Sequence, residues 1–210
     1  EFMVNKLNYA FKTKNVDLIL KYSADLGHYV GDAHVPLHTT KNYNGQLTNQ
    51  YGIHGLWESR LPELFAENYD YFVGKATFYK NVNEYAWQVV EASHASVDSV
   101  LRIERELTAE MSEDSKYVYE TRGAATMRNY SKDFSKAYHL KMNNMVERRL
   151  KASILGVGSM WYTAWVNAGQ PNLNELINTK PSAQLEADKE ELEQEFSKKK
   201  AKGRVCEHDH

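Results

Sequence analysis

The chain has 210 residues, 42% of them hydrophobic, and a formal charge of −2. That length suits one domain, or one domain with an appendage, and the near-neutral charge argues against a surface that coats a polyanion, because nonspecific nucleic-acid binders carry a basic excess. A mean hydropathy of −0.65 with no apolar run of roughly 18 residues argues against a membrane span, and the single cysteine, Cys206, excludes both an intrachain disulfide framework and thiolate zinc sites.

Glu1-Phe2-Met3 (residues 1–3) reads as a cloning remnant and is set apart from the fold. From there apolar residues recur at helical spacing almost everywhere, and glycine and proline are sparse. Residues 4–12 predict a short helix. Asn15 caps a second over residues 16–33, with Leu18, Tyr22, Leu26 and Tyr29 along one stripe; Pro36 ends it or turns the chain. Residues 39–53, TTKNYNGQLTNQYGI, form a polar loop. Helix resumes from 54 to about 65, kinked or restarted at Pro62. Asn81 opens a long helix to about 111, with Tyr85, Val89, Val97 and Leu101 inward. Ser131 caps another, to about 168, carrying Phe134, Tyr138, Met145, Leu155 and Tyr162. Gly156 and Gly158 bend that helix or allow close packing, and Gly169 and Pro171 stop it. Residues 182–203 hold an acidic block and then a basic block, to be read as a solvated helix or as no ordered structure. The expected class is all-α: a single multi-helix domain with long helices over residues 4–178, then a charged tail over 179–210.

Histidine is scarce, and half of its eight copies fall between residues 28 and 54. HYVGDAHVPLH (28–38) is followed by HGLWE (54–58). His28/Asp32 and His54/Glu58 are spaced i, i+4, which on a helix places an imidazole and a carboxylate on one face, within reach of one divalent ion. A single pair of this kind is commonly a plain ion pair. Two such pairs in 31 residues, with His38 between them, point to metal. His38, His54 and Glu58 supply the two imidazoles and one carboxylate of a catalytic zinc site with a fourth position left open. Asp32 has two oxygens and can bridge neighbouring ions, an arrangement suited to phosphodiester cleavage.

The two segments resemble the central motif of the zinc-dependent phospholipase C family and its relatives, the fungal-type single-strand nucleases. That superfamily is helical and clusters three zinc ions. Its pattern is His-x-x-x-Asp, then Pro-Leu-His, then His-x-x-x-Glu in the phospholipases or His-x-x-x-Asp in the nucleases, so Glu58 leans to the phospholipase side. The resemblance implies Zn2+ at His28, Asp32, His38, His54 and Glu58. One complete site would lie on His38, His54 and Glu58; His28 would ligate a second ion, and Asp32 would bridge it to a third. Asp32 and Glu58 are the candidate catalytic carboxylates. The family's N-terminal tryptophan and its upstream His and Asp ligands have no counterpart before His28. The resemblance therefore implies the C-terminal part of a larger, exported (periplasmic or extracellular) enzyme whose missing N-terminal segment completes the other two sites. The substrate would be a phosphodiester, either a phospholipid or single-stranded nucleic acid.

Tyr43, Tyr51 and Trp57 flank the ligands and are candidates to contact substrate, by stacking on a base or packing around a choline-like cation. Asp25 is close enough to His28 to touch the site, and Arg60 either neutralises a phosphate or pairs with Glu63. His34 points away from His28 and reads as a support or surface residue. His94 reads as a buried histidine held by Asp98, and His139 as structural. Cys206, His208 and His210 receive no role. A reading from another class competes: a non-catalytic helical interaction module whose tail docks a partner and whose stability is indifferent to metal.

Overall fold

The computed structural model describes residues 1–122 and 125–197; Cys206, His208 and His210 lie outside them. Helix α1 (Phe2–Lys12) packs on α2 (Val16–Ala33), and the Asn15 side chain accepts the Leu18 amide at 3.0 Å, capping α2 as its sequence predicts. The inward arc of α2 runs through Ile19, Tyr22, Leu26 and Val30, so Tyr29, expected inward, is 58% exposed. A 3₁₀ turn (Pro36–Thr39) and the polar loop lead to α3 (Ile53–Gly55), a π-helical turn (Leu56–Arg60) and α4 (Leu61–Phe65).

Residues 70–79 carry no regular structure. Two threads of hydrogen bonding pin them: the Thr77 amide donates to Ser159 Oγ (3.0 Å) and the Tyr79 amide to Thr163 Oγ1 (2.9 Å). Helices α5 (Val82–His94) and α6 (Val97–Glu110) replace the single long helix expected there. The break falls at Ser96, whose amide closes a tight turn onto Ser93 O while its hydroxyl donates to Ala92 O (each 3.0 Å). A serine side chain competing for backbone acceptors bends or ends a helix in this way.

After α7 (Glu113–Lys116), strands β1 (Tyr117–Arg122) and β2 (Ala125–Tyr130) form an antiparallel hairpin, with Tyr117 opposite Tyr130 and Thr121 opposite Thr126. This corrects the all-α expectation: the protein is largely helical with one two-stranded sheet. The aromatic and β-branched residues of Tyr117-Val118-Tyr119 favour a strand. Helices α8 (Lys132–Lys141) and α9 (Met145–Asn167) are likewise two where one was expected. Asn143 (φ 48°) and Asn144 (φ 55°) are left-handed, a conformation that asparagine tolerates better than most residues and that no helix continues through. Tyr162, among the residues expected along this helix, is 40% exposed. Helix α10 (Ala183–Ser197) carries the acidic block and is preceded by a bond from the Ser182 amide to Asp17 Oδ1 (3.0 Å).

Two apolar clusters hold the fold. The larger gathers Leu37, Ile53, Leu56, Trp57 and Leu61 against Val100, Ile103, Phe134, Tyr138 and Val146. The smaller joins Val4, Leu7 and Phe11 to Leu26, Val30, Met160 and Ala164. Helix α9 contributes to both, through Val146 at one end and Met160 and Ala164 at the other. Among the described residues no helix is long and apolar enough to cross a membrane.

Candidate metal centre

The chain between Asp32 and His54 is held in place at several points. Ser93 Oγ donates to Ala33 O (2.5 Å), Arg149 Nε to His34 O (2.8 Å), and His94 Nδ1 to Thr39 O (3.1 Å). His94 is thus exposed and bonded to the turn that carries His38; the expected partner Asp98 pairs with Arg102 instead, because the break between α5 and α6 separates it from His94. Gln50 Nε2 donates to Leu101 O (2.7 Å) and to the buried carboxylate of Glu104, which is paired with Lys116 Nζ at 2.7 Å. Gly52 then takes a left-handed turn (φ 89°), open to glycine at no steric cost, and delivers the chain into α3.

These constraints bring His38, His54 and Glu58 together. One ligand atom from each lies within 4.8 Å of the other two. His38 Nε2 is 3.5 Å from Glu58 Oε2, and His54 Nε2 is hydrogen-bonded to the same oxygen. The two imidazole rings meet edge to face, with centroids 4.9 Å apart. Glu58 sits in the π-helical turn, where the Leu61 amide bonds back five residues to Leu56 O; such turns recur at functional sites. Burial pushes the Glu58 carboxyl up, but the bonds from His38 and His54 prevail and bring it down to about 2. The bond to Glu58 raises the His38 pKa against the opposing effect of burial, and the charge of Asp32 adds to the rise.

The donor set suits a divalent metal ion. Two neutral nitrogens and one carboxylate oxygen are also the ligand types that zinc takes when no thiolate is present.

His28 and Asp32 stand one step away. Their side chains are 3.3 Å apart on α2 and are each more than a third exposed. A cavity of about 230 Å³ connects them to the cluster, with His28, Asp32, Trp57, Glu58, Arg149 and Ser153 among its walls. His34 is buried rather than superficial: its Nδ1 hydrogen-bonds Val30 O at 2.7 Å, and burial lowers its pKa. His139 is buried and stacked between Phe65 and Tyr69.

The three flanking aromatics separate. Tyr43 lies edge-on to His54, with ring centroids 6.2 Å apart. Tyr51 is exposed but opens onto a different groove, beside Arg60 and the hairpin. Trp57 is 2% exposed and belongs to the main core, where it also borders the cavity beside Glu58. Arg60 is buried and binds Glu120 (2.6 Å), Glu63 (3.3 Å) and the carbonyl of Tyr130 (3.1 Å); it anchors the hairpin and is not available to a phosphate. Arg149 is the wall residue that sequence reading missed. It lies in a different helix, far along the chain from the histidine motif, and no local spacing marks it. No protein-family model, curated protein or solved structure matches the chain.

Proposed function

We propose that the chain holds zinc on His38, His54 and Glu58, and that the centre serves phosphodiester hydrolysis of the phospholipase C type. The supporting observation is the convergence of two imidazoles and a carboxylate from separate turns, beside a cavity that a further His–Asp pair also borders. Zinc bound there supplies a Lewis acid for a phosphoryl oxygen and acidifies a water molecule. The chain's own groups prepare the site. Glu58 is ionised at neutral pH and offers a full negative charge to a cation. His38 would ligate a cation through its neutral imidazole. Asp32, on the cavity wall, is the second carboxylate, able to bridge a further ion or orient the nucleophile. Tyr43, whose ring lies edge-on to His54, is assigned to substrate contact.

Zinc content after dialysis tests the centre. About one zinc per chain, lost in His38→Ala/Glu58→Ala, is expected. Hydrolysis is then assayed with zinc in excess on phosphatidylcholine and on single-stranded DNA. Cleavage of DNA alone transfers the assignment to the nuclease branch. A chain that takes up no zinc belongs with helical interaction modules.

A further inference from the structure

The centre accounts for the carboxylates and imidazoles around the cavity but not for Arg149, which borders it as well. Arg149 projects from α9 and is half-buried. Its Nε donates to His34 O (2.8 Å), and its Nη2 reaches Ser93 Oγ and, at 3.5 Å, Val89 O. Every one of these acceptors is neutral. Among the described residues no carboxylate forms an ion pair with Arg149, and its Nη1 has no hydrogen-bond partner. Arg60, the other arginine withdrawn from solvent in this region, is neutralised by both Glu120 and Glu63. A half-buried guanidinium that touches no carboxylate keeps an unmatched charge and a donor to spare. Placed against a cavity, it is completed by an anion that arrives as ligand. The guanidinium fork matches phosphate oxygens in geometry as well as charge.

We propose that Arg149 is the phosphate-recognition residue of this cavity, donating from Nη1 to a nonbridging oxygen of a phosphate ester. The inference rests on the zinc reading, because Asp32 and Glu58 leave the metal-free cavity anionic and only a bound cation makes it attractive to phosphate. The volume sets the size of what enters. About 230 Å³ is below the roughly 300–1,000 Å³ of pockets that enclose drug-sized ligands, so the cavity takes a phosphate with a short substituent and leaves the rest of the molecule outside.

The test titrates the zinc-loaded chain calorimetrically with inorganic phosphate, phosphocholine and thymidine 5′-monophosphate. The unmodified protein is compared with Arg149→Met and Arg149→Lys, each checked first for zinc content and thermal midpoint, since Arg149 also holds the His34 carbonyl. The expected result is binding that disappears on chelation and weakens at least tenfold in Arg149→Met for all three probes. Arg149→Lys, which keeps the charge but not the fork, should fall between. Tighter binding of phosphocholine or of the nucleotide identifies a lipid headgroup or a nucleic acid as the source of the phosphate. Undiminished phosphate affinity in an Arg149→Met protein that retains zinc overturns the inference and leaves the zinc centre standing. An unmodified chain that binds no zinc overturns both. If the variants do not fold, a crystal of the unmodified zinc-loaded protein soaked in phosphate decides: an oxygen within hydrogen-bond reach of Arg149 supports the assignment, and a phosphate seated elsewhere removes it.

Discussion

Glu58 is where opposing physical effects meet most sharply. Without metal, its carboxyl is held at about 2 against an ordinary 4.5, so its pairing with His38 and His54 stabilises the fold fully above pH 4.5 and is lost as pH falls through about 2. The raised pKa of His38 acts at the other end: its contribution is complete below 6.5 and is lost as pH rises through the raised value. The metal-free protein therefore draws most from this cluster between pH 4.5 and 6.5. His34 has the opposite sign. Burial lowers its pKa, so its contribution is complete above 6.5 and declines as pH falls through the lowered value. In urea denaturation of the metal-free chain, Glu58→Gln should flatten the decline in stability between pH 4.5 and 2; an unaltered acid limb would mean that the pairing does not form. Gly156 gives a second residue-scale expectation. A Cβ there would stand 2.5 Å from Tyr85 Oη, 3.2 Å from His34 Cε1 and 3.3 Å from Val30 Cγ1, and Tyr85 is stacked on Tyr79. Overpacking of roughly 1–3 kcal/mol outweighs the gain of about 1 kcal/mol in helix propensity. Gly156→Ala should thus lower the urea midpoint, and a raised midpoint would show that Tyr85 yields freely.

At the scale of elements, the hairpin depends on one side chain from the ligand-bearing helix. Arg60→Met keeps most of the bulk but removes the bonds that Arg60 gives to Glu120 and to the Tyr130 carbonyl. Glu120 is 26% exposed, so water screens part of the loss, and a cost of about 2 kcal/mol is expected rather than the 3–5 kcal/mol of a fully buried pair. Amide exchange in β1 and β2 should accelerate more than in α1; uniform acceleration would deny the local role. The elements also show what could be read in advance. The caps at Asn15, Asn81 and Ser131 are local chemistry, one side-chain oxygen and one amide three residues on, and all three bonds form. The breaks at Ser96 and at Asn143–Asn144 were hidden because apolar periodicity continues across them. The hairpin was hidden because half of each strand faces solvent and its one firm inward residue, Tyr130, is fixed by neighbours outside the two strands, Lys116 and Phe134 among them.

Across the whole molecule the same division holds for the site. His38, His54 and Glu58 come from a short stretch of chain, and their i, i+4 and loop spacing announced the cluster. Arg149 and Ser153 reach the cavity only because α9 folds back over α2, a long-range event with no local signature. Metal should register on the entire fold. Zinc at a hundred times its dissociation constant adds about 2.7 kcal/mol, which for a protein of this size moves the thermal midpoint by roughly 5–10 °C. Calorimetry before and after chelation measures this, and an unmoved midpoint would favour the interaction-module reading.

Helix α9 lends Val146 to one apolar cluster and Met160 and Ala164 to the other. Coupling through this shared helix is expected to make the two cores melt in one step, and to pass energy gained where a ligand binds near Arg149 on as slower opening of the amino-terminal helices packed against the same rod.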